Sequence, residues 1–178
     1  MNFLDLVNKR RSCRNYSSQP VEREKIKRCL EAARLAPSAC NSQPWRFIVV
    51  QDPALKDQLA DAAFSGVYKM NGFAKKALVL VVVIRESSKY AAKLAGSFRG
   101  ITYSLIDLGI VCEHFILQAA EEDLGTCWIG WFYTKGIRKV LNLSRRDKID
   151  IIISMGYPDN PVDVSKTRKT IWEMAEIR

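Results

Sequence analysis

Helical and strand-like patterns follow one another along the whole chain, which predicts a single domain, residues 1–178, combining helices with a sheet. Three observations carry that prediction. Residues 45–50, 77–84 and 149–155 are short apolar runs rich in β-branched side chains, as buried strands are. Residues 22–36 and 102–124 carry apolar side chains at helical spacing, the mark of helices that cover a core. A chain of 178 residues, 48% of them hydrophobic, also fits one domain of roughly 100–200 residues.

In chain order, Phe3, Leu4, Leu6 and Val7 set a short helix that stops at Lys9-Arg10-Arg11-Ser12-Cys13-Arg14. Cations at a helix exit complement its negative end by roughly 0.3–1 kcal/mol, yet four exceed that need. If this stretch is extended, Arg10, Ser12 and Arg14 share one face, and a guanidinium fork suits phosphate or carboxylate. After Pro20, residues 22–36 place Ile26, Leu30 and Ala33 inward, with Glu24, Lys25, Lys27 and Arg28 outward. The loop 37–45, Pro-Ser-Ala-Cys-Asn-Ser-Gln-Pro-Trp, is stiff and polar, because proline fixes φ and short polar side chains bond nearby backbone. Two readings stand: a loop that holds a flat heteroaromatic ring, or an ordinary helix-to-strand connection.

Asp52 and Pro53 supply an N-cap and a first helical residue, with Leu55, Leu59, Ala62 and Ala63 as the inner face. Residues 65–72 read as irregular and carry Tyr68, Met70 and Asn71, while residues 85–99 are polar and leave two readings open, a mobile cover or a partly disordered stretch. Between them, residues 77–84 are apolar throughout, as a strand buried on both faces is. The helix 102–124 is apolar nearly all round and ends at Gly125, placed as a C′ glycine. His114, the one histidine, lacks partners at metal-ligating spacing and reads as structural or surface. Residues 126–132 form a short aromatic strand in which Gly130 marks a close approach to the backbone or a bulge. A short helix at 134–141, the strand 149–155 and a basic tail with a final short helix complete the chain.

The net charge of +9 draws phosphates. Its distribution favours one small polyanion over a long nucleic-acid stripe, because the cations gather at 9–14 and at 166–169; a solvated basic face is the other reading. Cys13, Cys29, Cys40, Cys112 and Cys127 are scattered and never in C-x-x-C spacing, so reduced, mostly buried thiols are expected rather than disulfides or zinc. No apolar window of about 18 residues and no signal-peptide core appears, and the expectation is a cytoplasmic protein. There is no G-x-S-x-G elbow, no G-x-G-x-x-G and no P-loop, which argues against a serine hydrolase, a Rossmann site or an ATPase. Basic anchors, an amide-rich loop and few acids or bases suit an enzyme whose cofactor carries the reaction.

Four blocks in order resemble the nitroreductase family of flavin enzymes, over nearly the whole chain: 10–14 (RRSCR), 36–45 (APSACNSQPW), 124–130 (LGTCWIG) and 166–168 (KTR). The resemblance implies an FMN-dependent homodimer of α+β class, with a mixed central sheet flanked by helices and a long central dimer helix. It implies that Arg10, Arg11, Arg14, Lys166 and Arg168 hold the FMN phosphate and that Ser12 bonds the phosphate or the ring edge. Pro37, Ser38, Ala39 and Asn41 would line the ring from the other subunit, Asn71 would bond its pyrimidine edge, and Trp128, Ile129 and Gly130 would lie along it near N5. It further implies hydride transfer from NADH or NADPH, in ping-pong order, to an acceptor such as a nitroaromatic or quinone. No catalytic side chain and no metal is called for. Family members also dehalogenate or fragment flavin, and a flavin carrier or a nucleic-acid-binding module is the rival class. Against the latter, the Trp and Phe residues are expected within apolar strands. The C-terminal extension is short for the family, and the cover around 90–100 has no clear counterpart in it.

Overall fold

The computed structural model describes residues 2–87, 96, 100–159 and 166–178. At its centre are four strands: β1 (Trp45–Val50), β2 (Val79–Arg85), β3 (Gly125–Ile129) and β4 (Lys148–Gly156), in the order β1-β2-β4-β3. The sequence reading expects a mixed sheet. All three pairings are instead antiparallel, and the parallel component is an isolated bridge between Ser12 and Thr126.

Strand alternation builds two cores from one sheet. On β2, Val79, Val81 and Val83 enter one core and Leu80, Val82 and Ile84 the other. On β4, Ile151, Ile153 and Met155 join the first, and Ile152 the second. Ile149 also faces the second core although its parity is odd, because the register shifts opposite Val83 and Ile84 and skips Asp150. A bulge of this kind re-aims the residues beyond it.

Helices α2 (Arg23–Arg34) and α4 (Tyr103–Glu121) cover the first face, contributing Ile26, Cys29 and Ala33, and Leu108, Val111, Cys112 and Phe115. Helices α3 (Pro53–Ala63) and α5 (Thr134–Val140) cover the second with Leu59, Ala60, Ala63 and Ile137. Each fully buried Leu, Ile or Phe contributes about 1.5–3 kcal/mol. Short helices α1 (Phe3–Lys9) and α6 (Ile171–Met174) bury no residue. The stretch 66–76 is a kinked 3-10 run rather than irregular coil. The cover read from 85–99 lies mostly outside the described residues.

α4 ends at Glu121, and the left-handed residue beyond it is Asp123 (φ 64°), not Gly125. The N–H of Leu124 donates to Ala119 O at 2.8 Å and that of Asp123 to Ala120 O at 3.3 Å, the paired closure of a helix C-terminus. Gly125 instead opens β3. Among the described helices α4 alone is long and apolar enough to cross a membrane, and half of it is buried within the protein. His114 Nδ1 lies 2.9 Å from the Ile110 carbonyl. All five thiols are free, with Cys29, Cys112 and Cys127 buried and Cys40 exposed. Burial pushes the Cys29 and Cys112 thiols up to about 12.

Candidate cofactor site

Arg10 is the C-cap of α1, and the chain leaving it runs alongside β3. Ser12 bridges Thr126, and the Cys13 N–H donates to the Thr126 carbonyl at 2.8 Å. This occupies the outer edge of β3, whose backbone groups would otherwise be unpaired. The approach is close enough to exclude a side chain at Gly125: a Cβ there would sit 2.6 Å from Cys13 Cβ.

The C-terminal stretch arrives at the same place. Lys166 Nζ donates to the Val7 carbonyl of α1 at 2.5 Å. Burial, followed by the charges of Arg10, Arg11 and Arg168, pulls the Lys166 pKa below its usual 10.5, with Glu113 opposing. Four cations thus share one locality, and the Arg10 guanidinium meets the Glu113 carboxylate at 3.8 Å. Like charges gathered in this way destabilise one another, and a bound phosphate would relieve them. The Arg14 guanidinium lies 5.9 Å from the centroid of the Phe73 ring.

A second group forms where β3 ends. Trp128 is 38% exposed, Ile129 is buried, and Gly130 has open space where a side chain would be. Asn71 Nδ2 donates to the Trp131 carbonyl at 2.8 Å, which brings the 3-10 run against this strand end. The expectation that tryptophans lie within apolar strands fails at Trp131 and Trp172, 53% and 76% exposed. Both lie outside the sheet, where no helix covers them.

The loop 37–45 forms a third group. Its 3-10 turn Ala39–Asn41 is followed by a second tight bend, and Cys40, Asn41 and Gln43 all have positive φ, 52°, 49° and 47°. Such angles cost roughly 1–2 kcal/mol per non-glycine residue and persist only where the surroundings impose them. The Gln43 N–H donates to Ser38 Oγ at 2.9 Å, and Gln43 Nε2 donates to Asn41 Oδ1 at 2.8 Å. The Ala39 N–H donates to Asp107 Oδ1 at 2.9 Å. Pro37 is exposed at the start of this bend, and Ser38 and Ala39 are half-buried. The loop is therefore anchored on α4 through Asp107.

Asp107 escapes the sequence reading. It is 2% exposed, and its Oδ2 is buried without a partner. A lone acid on an otherwise apolar helix face was the available signal. Glu113 and Phe73, which meet Arg10 and Arg14, escape it as well.

The fold is of α+β class, with cations gathered about Lys166. Residues 7–157 match the model of the nitroreductase family, and the chain belongs to that family. It is 31% identical over 173 residues to a Thermus thermophilus protein named NADH dehydrogenase, covering 84% of this chain and 83% of the relative. To a Thermotoga neapolitana protein named iodotyrosine deiodinase it is 25% identical over 179 residues, covering 89% and 90%. Among solved structures, an FMN-dependent nitroreductase of Clostridium difficile R20291 matches with a TM-score of 0.75 at 28% identity, covering 98% of each chain.

Proposed function

We propose that this protein is an FMN-dependent oxidoreductase that passes hydride from NADH or NADPH to an electrophilic acceptor such as a nitroaromatic or quinone. The observation that carries the reading is the convergence of Arg10, Arg11 and Arg168 on Lys166, whose pKa is lowered first by burial and then by their charges. A phosphate monoester dianion fits that excess of positive charge. The relatives' names, one an NADH dehydrogenase and one an FMN-dependent nitroreductase, support the same chemistry.

In this reading Arg10, Arg11, Lys166 and Arg168 bind the phosphate, and Ser12 adds a hydroxyl beside them. Arg14, over Phe73, closes the site towards Asn71. The backbone of Trp128, Ile129 and Gly130 lies along the flavin ring, and Asn71 bonds its edge. Pro37, Ser38, Ala39 and Asn41 reach the flavin of a second copy in a homodimer. The bound flavin supplies the hydride transfer, so the protein's task is to orient it and exclude water. The relative named a deiodinase keeps a second reading open, reductive dehalogenation by the same flavin.

An absorbance spectrum of the purified protein with added FMN tests the proposal. Flavin peaks that co-elute with the protein are expected, together with NADH or NADPH oxidation in the presence of a nitroaromatic. Arg10→Ala and Arg168→Ala should each weaken FMN binding by roughly tenfold, a charge-assisted contact discounted for solvent screening. No flavin binding, or unchanged FMN affinity in both variants, would sink it. Turnover of iodotyrosine in preference to nitroaromatics would decide for the second reading.

A further inference from the structure

A cavity of about 480 Å³ opens between the end of β2, the start of β4 and the start of α5. Four cations line it, Arg85, Lys135, Arg138 and Lys148, against one carboxylate, Asp150. Arg85 is neutralised by that carboxylate, at 2.7 and 3.3 Å. The others are not. Lys135 and Lys148 have no ion-pair partner among the described residues. Arg138 spends Nη2 on the Asp147 carbonyl at 2.8 Å, while its Nε is buried with no partner. The Asp147 carboxylate is turned away, accepting from the Ser144 N–H and Arg46. A buried donor without an acceptor is costly, and no carboxylate among the described residues compensates the Arg138 charge.

The remaining wall is aromatic and leads back to the candidate cofactor site. Tyr68 and Tyr133 stack at 6.0 Å, and Tyr68 meets Trp131 at 5.1 Å. Trp131 is the residue whose carbonyl takes Asn71. A ligand reaching from the strand end at Gly130 along these rings comes to the unpaired cations. Flat rings beside an open, cation-lined cavity fit a nucleotide, and the volume lies within the range of small-molecule sites, about 300–1,000 Å³.

We propose that this cavity binds the adenosine phosphate arm of the dinucleotide electron donor, with Lys135, Arg138 and Lys148 on phosphate and Tyr68 and Tyr133 against the base or ribose. The assignment rests on the reading that the protein takes hydride from NADH or NADPH. Both lysines are exposed, so substituting them leaves the fold in place, which thermal melting verifies. Calorimetry on the FMN-treated protein compares 2′,5′-ADP, 5′-AMP and inorganic phosphate, in the parent and in Lys135→Gln, Lys148→Gln and the double variant. Nucleotide binding is expected in the parent, weakened roughly tenfold in the double variant. Tighter binding of 2′,5′-ADP than of 5′-AMP assigns NADPH, and equal binding assigns NADH. A kinetic arm measures KM for the preferred dinucleotide against KM for a phosphate-free N-alkyl dihydronicotinamide, and their ratio should rise about tenfold in the double variant. Nucleotide affinity unchanged by both substitutions, or inorganic phosphate bound as tightly as the nucleotides, overturns the proposal. Failure of the flavin reading would be seen separately, as a protein without flavin absorbance, and the calorimetric arm does not depend on that absorbance.

Discussion

At Gly125 a single added methyl group has nowhere to go, since its carbon would lie 2.6 Å from Cys13 Cβ and 2.7 Å from Cys13 Sγ. Cys13 is held there by its own N–H bond to Thr126, so the clash cannot be relieved by a rotamer alone. Gly125→Ala must push residues 12–14 off the edge of β3, and with them Ser12 and Arg14. We expect a loss of about 1–3 kcal/mol in urea unfolding, the usual cost of overpacking, and weaker FMN binding alongside it. Gly130, with nothing within 4 Å of its added Cβ, is the contrast. Gly130→Ala should change stability by less than about 0.5 kcal/mol yet weaken FMN, because there the ligand itself would be the close neighbour. Equal stability of the two variants would refute this account of Gly125. The sequence reads Gly125 as a helix stop; the structure gives the left-handed stop to Asp123 and makes Gly125 the point where Cys13 approaches the backbone. An aspartate tolerates that conformation well enough to need no glycine, which is why the residue type misled.

At the scale of elements, the strands and helices are legible because each follows a local period, and β2 reads as buried on both faces because it is. The arrangement of the ligand loop is not legible. Its hold on α4 joins Ala39 to Asp107, 68 positions away, and no local pattern encodes that. Asp107→Ala removes the acceptor for the Ala39 N–H and should cost about 1–3 kcal/mol, while Asp107→Asn retains Oδ1 and should cost far less. Chemical denaturation of both variants checks this, and equal losses would show that the loop does not depend on the bond. A second link ties the end of α4 to α2: Arg28 pairs with the Glu122 carboxylate, and Lys25 Nζ donates to the Glu122 carbonyl at 2.8 Å. The Arg28 hydrogen bond holds the Glu122 pKa below its usual 4.5. A depressed carboxyl stabilises the fold above its unfolded pKa and loses that contribution as pH falls through the folded value. Melting temperature should therefore drop with acidification below 4.5, and Glu122→Gln should flatten that part of the profile. A variant as acid-sensitive as the parent would assign the effect to other carboxylates.

For the whole molecule, the proposed homodimer follows from where apolar surface is left uncovered. Leu105 and Ile106 on α4 are 46% and 51% exposed, and they flank the turn whose Asp107 fixes the ligand loop. Phe3 and Leu4 of α1, and Ile171, Trp172 and Met174 of α6, are exposed as well. A monomer rarely leaves this much apolar surface in water without a use for it, and obligate interfaces commonly exceed about 2,000 Å². The loop at 37–41 is fixed beside Leu105 and Ile106 through Asp107, so on the homodimer proposal it would reach the flavin of a second copy across an interface centred there. Cofactor binding and association should then be linked, each strengthening the other by mass action. Sedimentation at micromolar protein is expected to give a dimer whose dissociation is suppressed by FMN, and the double substitution Leu105→Glu, Ile106→Glu should yield monomers with FMN affinity reduced at least tenfold. A folded monomer that binds FMN as tightly as the parent would place the loop outside the site and require all of the flavin's ligands to come from one chain.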